Sequence, residues 1–334
     1  MMSTMNKEKE WLRRMRGTER SEDKDKGKED KPVAVESSEK KTAVKKTVRG
    51  NGFADIAGMN ELKKLVTEGF INVLKNREYA AMYGINPPSM LFYGPAGCGK
   101  TFFAEKMAEE VGIHFMKIVP DDLACTWVHG TQQKIGEVFK AAEKKAPTLL
   151  FFDEFDAMVP RRSGDEANQH YDSEVNEFLC MLNNASDRGI YVLAATNHPE
   201  RIDKAVLRTG RIDELVYIDM PDREARKCLF DLTLAKLPAE EGIDTEQLAV
   251  LTEGYNCSDI DYIVRSAARK MFNVTIQTEE KVVQKITQTV LEEIIAKRNP
   301  SVSSRDLREY ERVRRELSPK DEASRWPAIG FRLS

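Results

Sequence analysis

The stretch Met90-Leu91-Phe92-Tyr93-Gly94-Pro95-Ala96-Gly97-Cys98-Gly99-Lys100-Thr101 decides the fold. Its first four residues are an apolar run that follows the breaker Pro87-Pro88, and they predict a buried strand. The next eight match the spacing GxxxxGK[ST], which carries its meaning only between a strand and a helix. The glycines let backbone N–H groups turn inward around phosphates. Lys100 can then reach the β- and γ-phosphates, and the Thr101 hydroxyl can ligate magnesium.

Working outward, apolar runs recur at Phe115 to Val119, Leu149 to Phe152, Tyr191 to Ala195 and Leu215 to Met220, separated by polar segments of helical length. Strands alternating with helices predict an α/β domain with a mostly parallel, doubly wound sheet. Before it, Leu62, Leu65, Val66, Phe70, Val73 and Leu74 recur at helical spacing. The run Leu149-Leu-Phe-Phe ends in Asp153-Glu154. A buried strand holds two such carboxylates rigidly where ligands bind in open α/β sheets. Asp153 suits a magnesium ion, and Glu154 suits a general base on an attacking water. Asn197 closes the run that ends at Thr196, so its amide can orient that water. Arg208 and Arg211, three apart around Gly210, can stabilise charge developing on phosphate.

After Pro221 the strand pattern stops. Residues 222–300 predict a smaller helical lid domain, with Val282, Val283, Ile286, Val290 and Ile294 as one amphipathic row. Ser303 and Asp306 predict a capping box that opens a last charged helix, in a segment taken as 301–334. The large domain is taken as 49–221. Residues 1–48 differ: the first 50 residues hold 15 Lys/Arg and 10 Asp/Glu with few apolar side chains. Such a segment buries too little surface to offset its ordering entropy and predicts a disordered tail. Within it Trp11, Leu12 and Met15 fall on one side of a short helix, either residual helicity or a docking element.

Composition narrows the function classes. Of 334 residues, 41% are hydrophobic, enough for a sizeable core. Lys plus Arg (52) nearly balance Asp plus Glu (55), so the charge of -3 offers no electrostatic case for nucleic acid or an anionic membrane. No run approaches the roughly 18 apolar residues of a membrane span, and the start has no apolar signal region. Five scattered cysteines without CxxC pairing argue against disulfides or a zinc site and for a reducing cytoplasmic setting.

Taken together, the phosphate loop, the acidic strand end and the segment Thr196-Asn197…Asp203…Leu207-Arg208-Thr-Gly-Arg211-Ile-Asp213 resemble an AAA+ ATPase. The last segment is similar to the second region of homology in the AAA clade of katanin, spastin and valosin-containing protein. The resemblance runs from about Phe53 to Glu316. Phe53-Ala-Asp55-Ile56-Ala57-Gly58 looks like the family's opening signature, whose backbone meets adenine. Gly254-Tyr-Asn-Cys257-Ser258-Asp259-Ile260 is similar to its small-domain helix start GxSGADI. The resemblance implies ATP with Mg2+ held between an αβα domain and the lid. Phosphate-loop residues Gly94 to Thr101 and the following Phe102, with Asp153, would form the nucleotide site; Asp55 to Ala57, Cys257 and Ser258 would flank it. It also implies a homo-hexameric ring in which Arg208 and Arg211 reach the neighbouring subunit's nucleotide.

Trp127 and Val128 align with the family's central pore loop, where an aromatic grips a threaded polypeptide; Arg161-Arg162-Ser-Gly-Asp fits either a second pore loop or a solvated loop. The implied activity is ATP-driven remodelling or unfolding of a protein substrate, chosen by the tail, the lid, the C-terminal segment or an adaptor. Two other readings share the nucleotide residues. A nucleotide-gated scaffold or activator ring would not need Trp127. A proteasome-type cap usually ends in a hydrophobic-Tyr-any tail, where this chain ends Arg332-Leu-Ser334. The chain departs from the family pattern at Ala96 (commonly proline), His129 and Cys257 (both commonly glycine).

Overall fold

The computed structural model describes residues 50–124, 130–161, 169–208, 210–277 and 282–317, which all fall in one compact unit. The tail 1–48, Trp11, Leu12 and Met15, the pore residues Trp127 and Val128, and Arg162 onward in the second loop lie outside the described residues.

Five parallel strands form the sheet: β1 (Met90–Tyr93), β2 (His114–Ile118), β3 (Thr148–Phe152), β4 (Ile190–Thr196) and β5 (Glu214–Tyr217). Their spatial order is β2-β3-β4-β1-β5, with β1 inserted between β4 and β5. β1, β3 and β4 are buried along their whole length, as strands covered by helices on both faces must be. Alternation sorts their side chains into two layers. Leu91, Leu150, Phe152 and Val192 join one core with Phe139 and Phe178 from helices Gly130–Lys144 and Gln169–Leu182. Phe92, Leu149, Phe151 and Leu193 join the other, with Phe103 and Met107 of helix Lys100–Val111, Val66 of helix Asn60–Val66 and Phe70 of the segment Thr67–Ile71 that continues it. Each such fully buried side chain stabilises the fold by roughly 1.5–3 kcal/mol.

The register brings the three chemical signals to one rim. Tyr93 pairs with Thr196, and Phe152 pairs with Ala194. Continuing each pairing by one residue sets Gly94 level with Asn197 and Asp153 level with Ala195. The carboxyl ends of β1, β3 and β4 therefore open into one crevice, beside the point where the strand order reverses.

From Arg223 onward the chain is helical, with helices Arg223–Leu234, Thr245–Leu251, Cys257–Gln277 and Gln288–Ile295 around a core of Phe230, Leu248, Ile260, Ile263 and Leu291. Asp222, Asp244 and Thr287 cap three of them by accepting from Ala225 N, Gln247 N and Val290 N. One expectation fails. The row from Val282 to Ile294 is not one helix: Val282 and Val283 are exposed, and Ile286 bridges to Ala239 before the helix begins at Gln288. Thr287, held extended as the cap, interrupts what the spacing reads as continuous. The expected capping box forms, with Ser303 N donating to Asp306 at 3.1 Å and Asp306 N to Ser303 Oγ at 3.2 Å. Its helix, Ser304–Leu317, returns to the sheet, where Arg314 lies 5.0 Å over the Tyr217 ring. Among the described residues no helix is long and apolar enough to cross a membrane.

Candidate functional site

The loop from Gly94 to Gly99 needs its glycines for two separate reasons. Gly94, Gly97 and Gly99 have φ of +141°, +74° and +89°, values that L side chains rarely adopt. A Cβ on Gly94 would also stand 2.1 Å from the Ile218 carbonyl oxygen, and one on Gly97 2.5 Å from Asn256 Nδ2. The loop can thus run close to its neighbours with its N–H groups free to face an anion, and helix Lys100–Val111 begins where it ends. Lys100 is buried, and its Nζ donates to the Gly94 and Pro95 carbonyls at 2.9 and 2.8 Å. Burial lowers its pKa to about 8, so its charge is weakly held until an anion supports it.

Thr101 Oγ1 donates to Asp153 Oδ2 at 3.0 Å. The two residues expected at magnesium, 52 positions apart, therefore meet at one oxygen. Asp153 also accepts from Glu154 N at 3.2 Å, while the exposed Glu154 stands at φ +52°. A non-glycine residue in that region costs of order 1 kcal/mol or more and is concentrated at functional sites. On the adjacent strand end, Asn197 Oδ1 is buried and has no hydrogen-bond partner among the described residues. Thr196 fixes that turn, its hydroxyl donating to Asp156 at 2.5 Å and accepting from His198 N at 2.8 Å.

The flanking residues divide between structure and site. The Asp55 carboxylate is taken by Lys106 at 2.8 Å and Lys236 at 3.8 Å, and the Lys106 bond holds its carboxyl below the usual range. Ile56 and Ala57 are buried, which leaves backbone rather than side chains for an adenine contact. Phe102 is half-exposed, with Lys106 Nζ 5.6 Å from its ring centre. Ala96 and Gly97 are gripped from the helical region: Asn256 Nδ2 donates to Ala96 O at 3.0 Å, and Ser258 N to Gly97 O at 3.1 Å. Burial pushes the Cys98 thiol far up and the Cys257 thiol up to about 12, so both are protonated, small and unreactive. Arg211 is half-buried and donates to the Ala205 carbonyl at 2.7 Å, whereas Arg208 is exposed.

Two site residues escape sequence reasoning. Lys117 interrupts an otherwise apolar strand run and places its Nζ 2.7 Å from Asp153 Oδ2. Its isolation in that run was the available signal. Asn256, 2% exposed, bonds the phosphate loop and Ser301 Oγ through Nδ2 and accepts from Asp259 N through Oδ1. Asp259 is itself buried. Burial alone would raise its pKa, but bonds from Arg298, Ser301 and Asn256 outweigh that and hold it below the usual carboxylate range. Asn256→Ala strands several of these groups, so it should lower the unfolding free energy by about 1–3 kcal/mol. A urea midpoint unchanged from wild type would show that the latch contributes nothing.

A parallel sheet in this order, its central strand running into a glycine cradle with a buried lysine and a Thr–Asp pair, defines a phosphate-loop nucleoside triphosphatase. Residues 90–220 match the family described as ATPase family associated with various cellular activities (AAA). The chain is 33% identical over 269 residues to the Cell division cycle protein 48 homolog of Archaeoglobus fulgidus, covering 78% of this chain and 37% of that protein. It is 32% identical over 224 residues to the Putative cell division cycle ATPase of Plasmodium falciparum, covering 66% of this chain and 18% of that protein. The chain thus spans well under half the length of these relatives. It carries an AAA+ ATPase domain and resembles the valosin-containing-protein type, a class that uses ATP with Mg2+. The residues present fit that pair: an orphaned acceptor at Asn197, a loop with no room for a side chain at Gly94 or Gly97, and a hard oxygen donor set in Thr101 and Asp153.

Proposed function

We propose that the chain couples ATP hydrolysis to remodelling of protein substrates as one subunit of a homo-hexameric ring. The observation that carries the nucleotide half is the meeting of Thr101 and Asp153 beside the phosphate cradle, with Glu154 and Asn197 on the same rim. Backbone N–H groups from Gly94 to Thr101 enclose the phosphates, and Lys100 exchanges its two carbonyl partners for them. Thr101 and Asp153 would hold magnesium, whose charge would offset that of the phosphate oxygens. Glu154 accepts the proton of the attacking water, and the Asn197 amide oxygen orients that water. The backbone at Asp55 to Ala57 and the helix start at Cys257-Ser258 close over the base. Residues 49–221 act as the large domain, 222–300 as the lid and 301–334 as a closing segment.

The ring half rests on Arg208 and Arg211. Exposure of Arg208 suits a group offered to a neighbouring subunit, and the resemblance to the AAA clade supports a six-subunit ring. Remodelling rests on Trp127 and Val128 in the segment that aligns with the pore loop, a large apolar face that can grip many side chains. Replacing Trp127 by Ala should abolish unfolding of a fluorescent fusion substrate while ring size and basal ATP turnover stay within about twofold of wild type. Undiminished unfolding by Trp127→Ala would favour the second reading, a nucleotide-gated scaffold that shares the same nucleotide residues.

A further inference from the structure

We infer that Lys117 is a built-in counter-cation at the metal position, competing with magnesium for Asp153 and making ATP binding less dependent on metal. The inference rests on the nucleotide site alone and not on the remodelling reading.

Position along the strand allows only a long cation to do this. Lys117 lies on the edge strand β2 and pairs directly with Phe151 on β3. Residues opposite each other in a parallel pair share a face, and Phe151 packs in the core that holds Phe103 of helix Lys100–Val111. Lys117 is therefore on the face covered by helix Lys100–Val111, whose Thr101 reaches Asp153. The β2–β3 ladder continues past Phe152, since Asp153 N donates to Ile118 O at 3.0 Å. The Lys117 stem climbs from the level of Phe151 to that of Asp153, two residues up the strand. A four-carbon chain spans that rise and a short side chain does not.

At its end the ammonium meets Asp153 Oδ2 at 2.7 Å, the oxygen that Thr101 Oγ1 reaches at 3.0 Å. One carboxylate oxygen thus serves a hydroxyl, an ammonium and, in the proposed function, the metal. The side chains of Lys117 and Asp153 are 40% and 20% exposed, so an arriving ion has access. A divalent ion at Oδ2 repels the ammonium and must displace it, which weakens metal binding. Without metal the ammonium stays at Asp153 Oδ2, the oxygen that Thr101 reaches, and together with Lys100 it can balance part of the triphosphate charge. An ordinary exposed ion pair would do neither, because it would have no ligand to share.

The test is equilibrium binding of a fluorescent ATP analogue to the full chain, in EDTA and in millimolar Mg2+, for wild type, Lys117→Met, Lys117→Gln and Lys117→Arg. Removal of Mg2+ should weaken the two neutral variants by about tenfold more than wild type, and Lys117→Arg should follow wild type. The Mg2+ concentration that half-saturates the nucleotide complex should fall about tenfold in the neutral variants. Two neutral replacements at a part-exposed edge position guard against one of them failing to fold. Equal ratios across wild type and both neutral variants would overturn the inference alone. A wild-type chain that binds the analogue in neither condition would overturn it together with the nucleotide reading beneath it.

Discussion

Glu154→Gln should leave ATP bound and slow its hydrolysis by about 10²–10⁴-fold, the usual contribution of a positioned general base. The substitution removes only the proton acceptor. An amide of the same size keeps the side chain's length and can still hydrogen-bond a water. The groups placed at the phosphates are untouched: Lys100 on its two carbonyls, Thr101 on Asp153, and the glycines of the loop. Backbone cost is also nearly constant, since both residues must sit at φ +52°. Single-turnover phosphate release, measured beside nucleotide retention, separates the two effects. Normal retention with slow release supports the assignment. Release within about threefold of wild type would mean that another group takes the proton, because losing a general base costs far more.

The proposed base is legible in the sequence because its surroundings are local. Strands buried on both faces read as unbroken apolar runs, and the acidic pair follows such a run directly. The phosphate loop is equally local, with Gly94, Gly99, Lys100 and Thr101 of GxxxxGKT set by spacing. What the sequence does not show are the partnerships closed by the fold. Lys117 and Asp153 are 36 positions apart and meet only because β2 lies beside β3. Asn256 reaches Ala96 across 160 positions, a contact with no periodic signature. The helical row at Val282 and Val283 misleads for the opposite reason. Apolar spacing is there, but Thr287 breaks the helix and the two valines stay exposed. Local pattern records which residues could form an element; it does not record where a cap stops it.

Arg208→Ala should lower ATP turnover by about 10³–10⁵-fold in the assembled protein, the range for an arginine supplied to transferring phosphate, or about 4–7 kcal/mol of barrier. Arg208 is the cleaner of the two arginines to test. It is exposed, so truncating it removes no packing, whereas Arg211→Ala would also free the Ala205 carbonyl and confuse loss of function with loss of structure. Loss of activity alone does not show which subunit's nucleotide the arginine serves. Mixing does. In a ring each interface joins two different surfaces. A subunit carrying Arg208→Ala keeps its own Glu154, and a Glu154→Gln neighbour keeps its own Arg208. Where those two surfaces meet in the right order, one complete site forms from two inactive chains. At equal mixing about one interface in four is of that kind, so turnover should return to as much as about a quarter of wild type. Arginines acting within their own subunit would give no recovery at any ratio, and the ring would then contribute assembly but not chemistry.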